Sequence, residues 1–352
     1  MSRVLFILKR REDYNYCIHT KVGLITGLYN SASFVNSMLN NSGVESKLIV
    51  VTDNNDIDRE VTQYKPTHCI IEAIWVVPSK FTVLQKLHPN VKWIIRIHSE
   101  MPFMANEGMA LSWFGDYSLF DNIILAPNSP RMLREVRTFL KIKNNWNDVQ
   151  VNEKVVYLPN YYPQQYKQPK VIDTEIQNEF INIGCFGAIR PLKNHLMQAL
   201  VAAEFCEAVG KKLKFHCNAG RIEMKGEPVV NNLKGMFEHL YERGHQLIFH
   251  QWMEREEFLN LCSQMDIGMQ VSLTETFNIV AADLVSQGIP IVGSREIPWA
   301  SSIYNSDPCD SKQMVNALLR TYYSSRINVM ANQYFLNKYT NKTNKIWVRY
   351  FK

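Results

Sequence analysis

The sequence contains no uninterrupted hydrophobic run long enough to cross a bilayer. Arg, Asp or Gly breaks even its most apolar stretches within about ten positions, whereas a membrane helix needs about 20 apolar residues. The apolar run near the N-terminus, Val4 to Leu8, is shorter than the core of a signal peptide and is followed at once by charged residues. We therefore expect neither a membrane span nor secretion, and we interpret this run as a first β-strand.

The sequence also lacks paired cysteines and internal repeats. Its 7 cysteines are scattered and odd in number, without a Cys-x2-Cys pair, which disfavours both a disulfide framework and a zinc site. No segment repeats with a period of about 20 to 50 residues, which argues against a solenoid or a propeller. We expect a cytoplasmic protein, and the cell can be the host of a phage.

Hydrophobic residues make up 46% of the 352 residues, enough for two domains with separate cores. Short β-branched runs alternate with helical patterns throughout, which is typical of parallel sheets in α/β proteins. In the first half, the predicted strands are Val4–Leu8, Lys47–Val51, Cys69–Glu72, Trp93–Ile97, Asn122–Ala126 and Val155–Leu158. In the second half, they are Ile181–Phe186, Leu213–Asn218, Gln246–Phe249, Asp266–Val271 and Ile289–Val292.

The alternation is interrupted in the middle of the chain. Residues 159–180 carry three prolines and several glutamines without clean periodicity, which indicates a linker, placed at residues 166–180. We therefore predict two Rossmann-like domains, at residues 1–165 and 181–334. The pattern from Lys312 onward is mostly helical, and we expect the final helix, at about residues 335–352, to pack back on the first domain.

Two carboxylates stand out in the segment Ser272–Ser294, which is predicted to lead from a strand end through a polar loop into a helix. Glu275 and Asp283 are eight residues apart, slightly more than two helical turns, so that both can face one ligand. A carboxylate is suited to bind a vicinal diol, because it accepts two hydrogen bonds. The alternative interpretation is an amphipathic helix with exposed acids.

This segment resembles the Glu-x7-Glu motif of retaining GT-B glycosyltransferases, particularly the family-four or "group 1" type. The match covers Glu275, Phe277, Asp283, Gly288 and Pro290. The resemblance implies two domains that face each other across a cleft, with Glu275 on the donor sugar and Asp283 on the ribose. It places Phe277 and Asn278 beside the donor diphosphate, although Asn278 replaces the family's Gly and Asp283 is one methylene shorter than the usual Glu.

Two further segments extend the resemblance. In Ile183–Leu200, a strand leads through a glycine turn into a helix, and Arg190 and Lys193 take the places of the cations that neutralise the donor diphosphate. A basic pair at a helix start is also common on solvated surfaces. In Leu247–Met269, the residues His250, Gln251 and Trp252 occupy the loop that lines the nucleobase pocket, with Trp252 as core the alternative.

In the first domain, His98 follows the strand Trp93–Ile97, at the end of a sheet where ligands of α/β proteins bind. The resemblance assigns His98, together with Glu275, to the catalytic centre, and Ser99 and Glu100 to the acceptor side. A purely structural His98 is the alternative. Gly23 and Gly27 with Asn30 and Ser31 replace the family's Gly-Gly turn and are expected to present backbone N–H groups to the phosphates.

The resemblance implies transfer of a sugar from a nucleoside diphosphate donor, most plainly a UDP-sugar, without a required cofactor or metal. The acceptor stays open between a modified DNA base, as in phage enzymes, and a cell-envelope or lipid-linked glycan. The net charge of +6 fits an acidic acceptor but also simple solubility. Two other classes remain, a nucleotide-sugar epimerase and a non-catalytic sugar-nucleotide or nucleic-acid binding protein. The sequence does not predict the oligomeric state.

Overall fold

The computed structural model describes residues 2–10, 27–172 and 178–352. The chain forms two compact units, one of Met1–Pro163 with Thr340–Lys352 and one of Gln164–Tyr339. Both units are α/β with a parallel sheet, as the alternating sequence pattern predicts. No helix in the described part of the chain is long and apolar enough to cross a membrane.

The first unit is built on a five-stranded sheet with the order β2-β1-β3-β4-β5. Its strands are β1 (Arg3–Lys9), β2 (Glu45–Val51), β3 (His68–Glu72), β4 (Lys92–Ile97) and β5 (Ile123–Pro127). Its helices are α1 (Gly27–Asn41), α2 (Asp56–Tyr64), α3 (Pro78–Leu87), α4 (Met101–Met104), α5 (Ala110–Tyr117), α6 (Pro130–Asn144) and α7 (Asp148–Lys154). The central strands are buried and mostly apolar, as expected for a parallel sheet covered on both faces, although β4 contains the buried Arg96.

The strand predicted at Val155–Leu158 is wrong. The segment runs beside β5 and donates from Val156 to Leu125 and from Leu158 to Pro127, but it forms only an isolated bridge at Val155. A parallel ladder needs donors from both strands, and Pro127 has no N–H to return. The carbonyl groups of Leu158 and Pro159 accept instead from the side chain of Arg96.

The second unit is built on a six-stranded sheet with the order β11-β10-β9-β6-β7-β8. Its strands are β6 (Phe180–Gly184), β7 (Lys212–Asn218), β8 (Gln246–His250), β9 (Ile267–Gln270), β10 (Ile291–Ser294) and β11 (Asn305–Ser306). Its helices are α8 (His195–Ala208), α9 (Glu227–Leu240), α10 (Arg255–Ser263), α11 (Ile279–Ser286) and α12 (Ser311–Tyr323). A last helix, α13 (Ser325–Phe351), begins in this unit.

The C-terminal end of α13 belongs to the first unit. Trp347 is fully buried among residues of β1 and β4, and its indole N–H donates to the carbonyl oxygen of Pro159 at 2.8 Å. Phe351 packs in the same cluster. These aromatic side chains explain why a tail of mostly polar composition is held against this sheet: the two rings are buried in its core.

The segment predicted as a linker is partly bound to the second unit. Lys167 donates from its backbone to Ser286, and Lys170 donates to Gly288. Gly288 has a φ of +78°, and a Cβ there would lie 2.1 Å from the carbonyl oxygen of Gln168. Glycine is therefore required at this position by both the backbone angle and the close approach of the chain.

The strand order creates a switch point in the second sheet. The chain passes from β6 to β7 and β8 on one side and then returns to β9 on the other side of β6. Ligands of open α/β sheets bind beyond the carboxyl ends of the strands at such a point. Residues 185–194, after β6, and residues 271–278, after β9, flank this point and carry the strongest sequence signals.

Candidate functional site

The loops after β6 and β9 are joined by hydrogen bonds. Leu273 donates from its backbone to Leu192 at 3.0 Å, and the Asn194 side chain donates to the carbonyl oxygen of Val271 at 3.2 Å. The first loop turns at Gly187, whose φ of +115° disfavours other residues and whose N–H donates to Asn218. The two predicted segments are therefore joined at the switch point, and we call them the joined loops.

Lys193 and Glu275 are in contact in the joined loops. The ammonium group of Lys193 donates to Oε1 of Glu275, and the Asn278 side chain donates to the same oxygen at 3.1 Å. The side chains of Lys193 and Glu275 are 11% and 8% exposed. The structure thus brings together three residues that the sequence analysis assigned to the donor site.

Both charged groups keep hydrogen-bonding capacity. An ammonium group has three donors, and within the described ranges Lys193 uses one side-chain donor, towards Glu275. Oε2 of Glu275 has no hydrogen-bond partner among these residues. The pair can therefore offer donors to an anion and an acceptor to a hydroxyl group at adjacent positions.

Asn278 stands where the resembled motif has glycine. The residue has a left-handed φ of 58°, which Asn tolerates better than most residues. Its Oδ1 accepts from the backbone of Ala281 at 2.9 Å and caps α11, while its Nδ2 donates to Gln270 and Glu275. The asparagine thereby orients Glu275, a contact that glycine cannot make.

Asp283 lies on α11, whereas Glu275 precedes this helix, so the eight-residue spacing does not correspond to two turns of one helix. Asp283 is 2% exposed and accepts from Arg255 at 2.7 Å. Arg255 is the first residue of α10. No sequence pattern pointed to Arg255, because its only signal was a cation at a helix start, where an acidic residue is the more usual choice.

Arg190, in the loop after β6, forms an ion pair with Glu223. Its guanidinium group lies 3.1 Å from Glu223, which also binds Arg221. The guanidinium carbon of Arg221 lies 4.9 Å from the ring centre of Trp252. The residues Glu223 and Arg221 were not predicted, because no recognisable motif surrounds them.

The predicted nucleobase residues lie at the carboxyl end of β8. His250 ends the strand and is half-buried, Gln251 is exposed, and Trp252 is half-buried. Trp252 has an indole N–H without a hydrogen-bond partner in the described part of the chain. The ring of Phe186 packs edge-on against His250, with centroids 6.1 Å apart.

Two other residues predicted to bind the diphosphate, Phe277 and Gly27, do not lie beside Lys193 and Glu275 in the described contacts. Phe277 is 1% exposed, packs against Trp299 and Tyr339, and accepts the Trp299 N–H at its carbonyl oxygen. Its ring therefore belongs to the core. Gly27 is the first residue of α1, and the preceding part of its predicted loop, including Gly23, lies outside the described residues.

In the first unit, His98 belongs to a buried polar cluster at the ends of β3, β4 and β5. Its Nε2 lies 2.5 Å from Glu72, and Asn128 lies 3.3 Å from its Nδ1. Arg96 and Glu72 form an ion pair at 3.0 Å with both side chains fully buried. Arg96 also donates to Asn160 at 2.6 Å.

The charges in this cluster affect one another. Burial opposes ionisation of Glu72, but the adjacent Arg96 and His98 outweigh it and lower the pKa of this carboxyl group. Burial also lowers the pKa of His98, against the raising effect of Glu72. The ring of His98 is therefore held neutral near pH 7, with Nε2–H donating to Glu72.

The predicted acceptor-side residues follow His98. Glu100 is 2% exposed and accepts from Ser129 and, at 2.8 Å, from Arg131. Ser99 is half-buried. The carboxylate of Glu100 thus fixes the loop after β4 to the start of α6. Within the described ranges, no group of three or more His, Cys, Asp or Glu side chains is arranged to hold a metal ion.

No protein family model and no curated protein match this sequence. Solved structures match across the whole chain. A UDP-forming α,α-trehalose-phosphate synthase from Burkholderia vietnamiensis has a TM-score of 0.69 and 11% identity, with 100% of this chain and 96% of that chain covered. Sucrose-phosphate synthase from Thermosynechococcus elongatus has a TM-score of 0.65 and 15% identity, with 99% and 97% covered.

A third similar structure is the HepE protein of Anabaena in complex with UDP and glucose. It has a TM-score of 0.62 and 11% identity, with 98% of each chain covered. Identities this low establish the fold alone. The chain has the GT-B fold, with two Rossmann-like domains, as the sequence analysis predicted.

Proposed function

We propose that this GT-B chain is a glycosyltransferase that moves a sugar from a nucleoside diphosphate sugar to an acceptor. The donor that we propose is a UDP-sugar. The observation that carries the proposal is the pairing of Lys193 with Glu275 at the switch point of the second unit. Both side chains retain unused hydrogen-bonding groups there. Similar solved structures include one that holds UDP and glucose.

Each residue of the pair has a defined task in this proposal. The unused donors of Lys193 neutralise the diphosphate as negative charge develops on it, aided by the N-terminus of α8. Oε2 of Glu275 accepts hydrogen bonds from hydroxyl groups of the transferred sugar. Asp283, oriented by Arg255, binds the ribose hydroxyls.

The reaction exchanges one bond for another. The bond between the anomeric carbon and the diphosphate oxygen breaks, and a bond from the acceptor hydroxyl oxygen to that carbon forms. The departing diphosphate accepts the hydroxyl proton. Attack on the face that the diphosphate leaves gives retention of configuration, which we propose for this chain. His98 is assigned with Glu275 to the catalytic centre, Ser99 and Glu100 to the acceptor, and Arg190, Gly27 and Asn278 to the diphosphate side.

The acceptor classes are separated by a product assay. Purified protein is incubated with UDP-glucose and with either DNA containing hydroxymethylated bases or a glycan acceptor, and the labelled product is analysed by mass spectrometry. DNA as acceptor also requires an affinity for DNA that falls as salt concentration rises. Conversion of the donor without any acceptor would identify an epimerase instead.

The decisive variant is Glu275→Ala, which removes the sugar-binding acceptor. We expect transfer to be lost, while the exposed-residue control Glu242→Ala leaves it unchanged. Full transfer by Glu275→Ala would refute the assignment. A panel of UDP, GDP, ADP and CMP in a thermal unfolding experiment identifies the nucleotide, since a ligand raises stability with its saturation.

A further inference from the structure

A chain of hydrogen bonds runs across the second sheet to His250. Asp266 pairs with Lys170 at 3.0 Å and accepts from the side chain of Asn182 at 3.1 Å. Oδ1 of Asn182 lies 3.2 Å from Nε2 of His216. Nδ1 of His216 lies 2.9 Å from Nε2 of His250. Five side chains from five separate parts of the sequence are therefore linked.

The carboxylate fixes the direction of every bond in this chain. A carboxylate paired with a lysine only accepts hydrogen bonds, so the Asn182 amide presents its NH2 group to Asp266 and its oxygen to His216. That oxygen requires a donor, which places the proton of His216 on Nε2. Nδ1 of His216 then accepts, and the proton of His250 must lie on Nε2.

The neutral state of both rings is consistent with their surroundings. Burial, together with the neighbouring His250 and Lys214, lowers the pKa of His216 to about 4. Burial also lowers the pKa of His250. The rings are stacked, with an interplanar angle of 11°. Because both rings are neutral and Nε2 of His250 donates to His216, His250 has a single tautomer. In this tautomer, its Nδ1 is an acceptor.

Nδ1 of His250 is the open end of the chain. Within the described residues it has no hydrogen-bond partner, and the ring is half-buried. It lies in the loop region assigned to the nucleobase, beside Phe186 and close in sequence to Trp252, whose indole N–H is also unpaired. The protein supplies no donor to this acceptor, so a bound base that presents no donor there would leave it unpaired, which favours a ligand that supplies one.

We propose that the relay Asp266–Asn182–His216 fixes His250 as a hydrogen-bond acceptor and that His250 thereby selects a nucleobase with a ring N–H. This inference rests on the proposed function, because it names the nucleotide class of the same donor site. Uracil presents N3–H and guanine presents N1–H. Cytosine and adenine present an unprotonated ring nitrogen at that edge, which would face the acceptor of His250. Asp266, Asn182 and His216 are positioning residues.

The matched ligand pair is UDP and CDP, since both bases are pyrimidines of nearly equal size with opposite polarity at N3. We expect calorimetric titration of the wild-type protein to give an affinity for UDP roughly tenfold to a hundredfold above that for CDP. Equal affinities would overturn the inference while leaving nucleotide binding intact. Binding of neither nucleotide would overturn the proposed function as well.

Two variants test the relay. In His216→Phe, the ring of His250 loses its donor-accepting neighbour and can take either tautomer, so the ratio of UDP to CDP affinity should fall towards one. His250→Gln should have the same effect, because an amide can present a donor or an acceptor. A merely structural role would weaken both nucleotides equally and keep the ratio. The exposed control His239→Phe should leave the ratio unchanged.

A spectroscopic measurement tests the relay without any ligand. Nitrogen-15 spectra of histidine-labelled protein near pH 7.5 should show Nε2 protonated and Nδ1 unprotonated in both His216 and His250. Single-site variants assign the signals. Protonation of Nδ1 in either ring would overturn the inference, whatever the result of the nucleotide titrations.

Discussion

The two units both place a carboxylate, a cation and an amide at the carboxyl ends of their strands, but they use them differently. In the first unit, Glu72 and Arg96 are fully buried, and the guanidinium group also binds Asn160 and backbone carbonyls. In the second unit, Lys193 and Glu275 are partly exposed and keep unused donors and acceptors. We call Glu72 with Arg96 the closed cluster, because its burial suits it to stability and orientation. We call Lys193 with Glu275 the open cluster, because its unused groups are available to the ligand that we propose.

The largest expected effect is on the closed cluster. Glu72→Gln leaves Arg96 buried without a counter-charge, and we expect the free energy of unfolding to fall by about 3 to 5 kcal/mol. Urea denaturation of both proteins measures this loss. Glu45→Gln is the matched control, because it breaks an exposed pair with Arg3 and should cost far less. Equal losses in the two variants would remove the distinction between the clusters.

The open cluster should respond more strongly in activity than in stability. Glu275→Gln removes the charge that binds the sugar hydroxyls, and we expect kcat/KM for transfer to fall by about a hundredfold or more. The unfolding free energy should fall by less than in Glu72→Gln, because the glutamine amide oxygen can still accept from Lys193 and Asn278. Steady-state kinetics and urea denaturation measure both quantities, with Glu242→Gln as the control. A loss of stability as large as that of Glu72→Gln would show that this cluster is structural too.

A smaller effect is expected for the cation of the open cluster. Lys193→Gln removes a charged donor to the diphosphate, and we expect UDP to bind roughly tenfold to a hundredfold more weakly. Isothermal titration measures the change, and the exposed Lys312→Gln should show none. If UDP binds Lys193→Gln as tightly as it binds the wild type, Lys193 does not contact the diphosphate.

The smallest effect concerns a histidine beside Lys193. Burial, with Lys193 and Arg190, lowers the pKa of His195 to about 3. An unfolded histidine takes up a proton near pH 6.5, so between these values the unfolded state binds more protons and stability falls as pH falls. When the pH falls from 7.5 to 5.0, the free energy of unfolding should decrease by about 2 kcal/mol less in His195→Leu than in the wild type. Equal losses in urea denaturation at the two pH values would contradict this, and the exposed His239→Leu serves as control.

The sequence predicted the fold class and both sheets, because the strand interiors are apolar runs bounded by glycine and polar residues. It placed Lys193 and Glu275 in one site through their family resemblance. It could not show that Asn278 holds Glu275, or that Arg255 holds Asp283, because these contacts depend on the turn at Asn278 and the packing of α10 against α11.

The strand predicted at Val155–Leu158 shows a second limit. Its composition suits a strand, but strand formation depends on the donors of the neighbouring β5, where Pro127 supplies none. The relay from Asp266 to His250 was equally inaccessible, since its members are far apart in sequence. Their alignment follows from the register of β6, β7 and β8.

The central claim is that a nucleoside diphosphate binds the open cluster of the second unit. Hydrogen exchange, followed by mass spectrometry with and without saturating UDP, tests it most directly, because it reports every peptide at once. We predict slower exchange in residues 185–194 and 271–278, and no such protection in Lys193→Gln at the same UDP concentration. Protection confined to the first unit, or unchanged exchange in both loops of the second, would contradict the account.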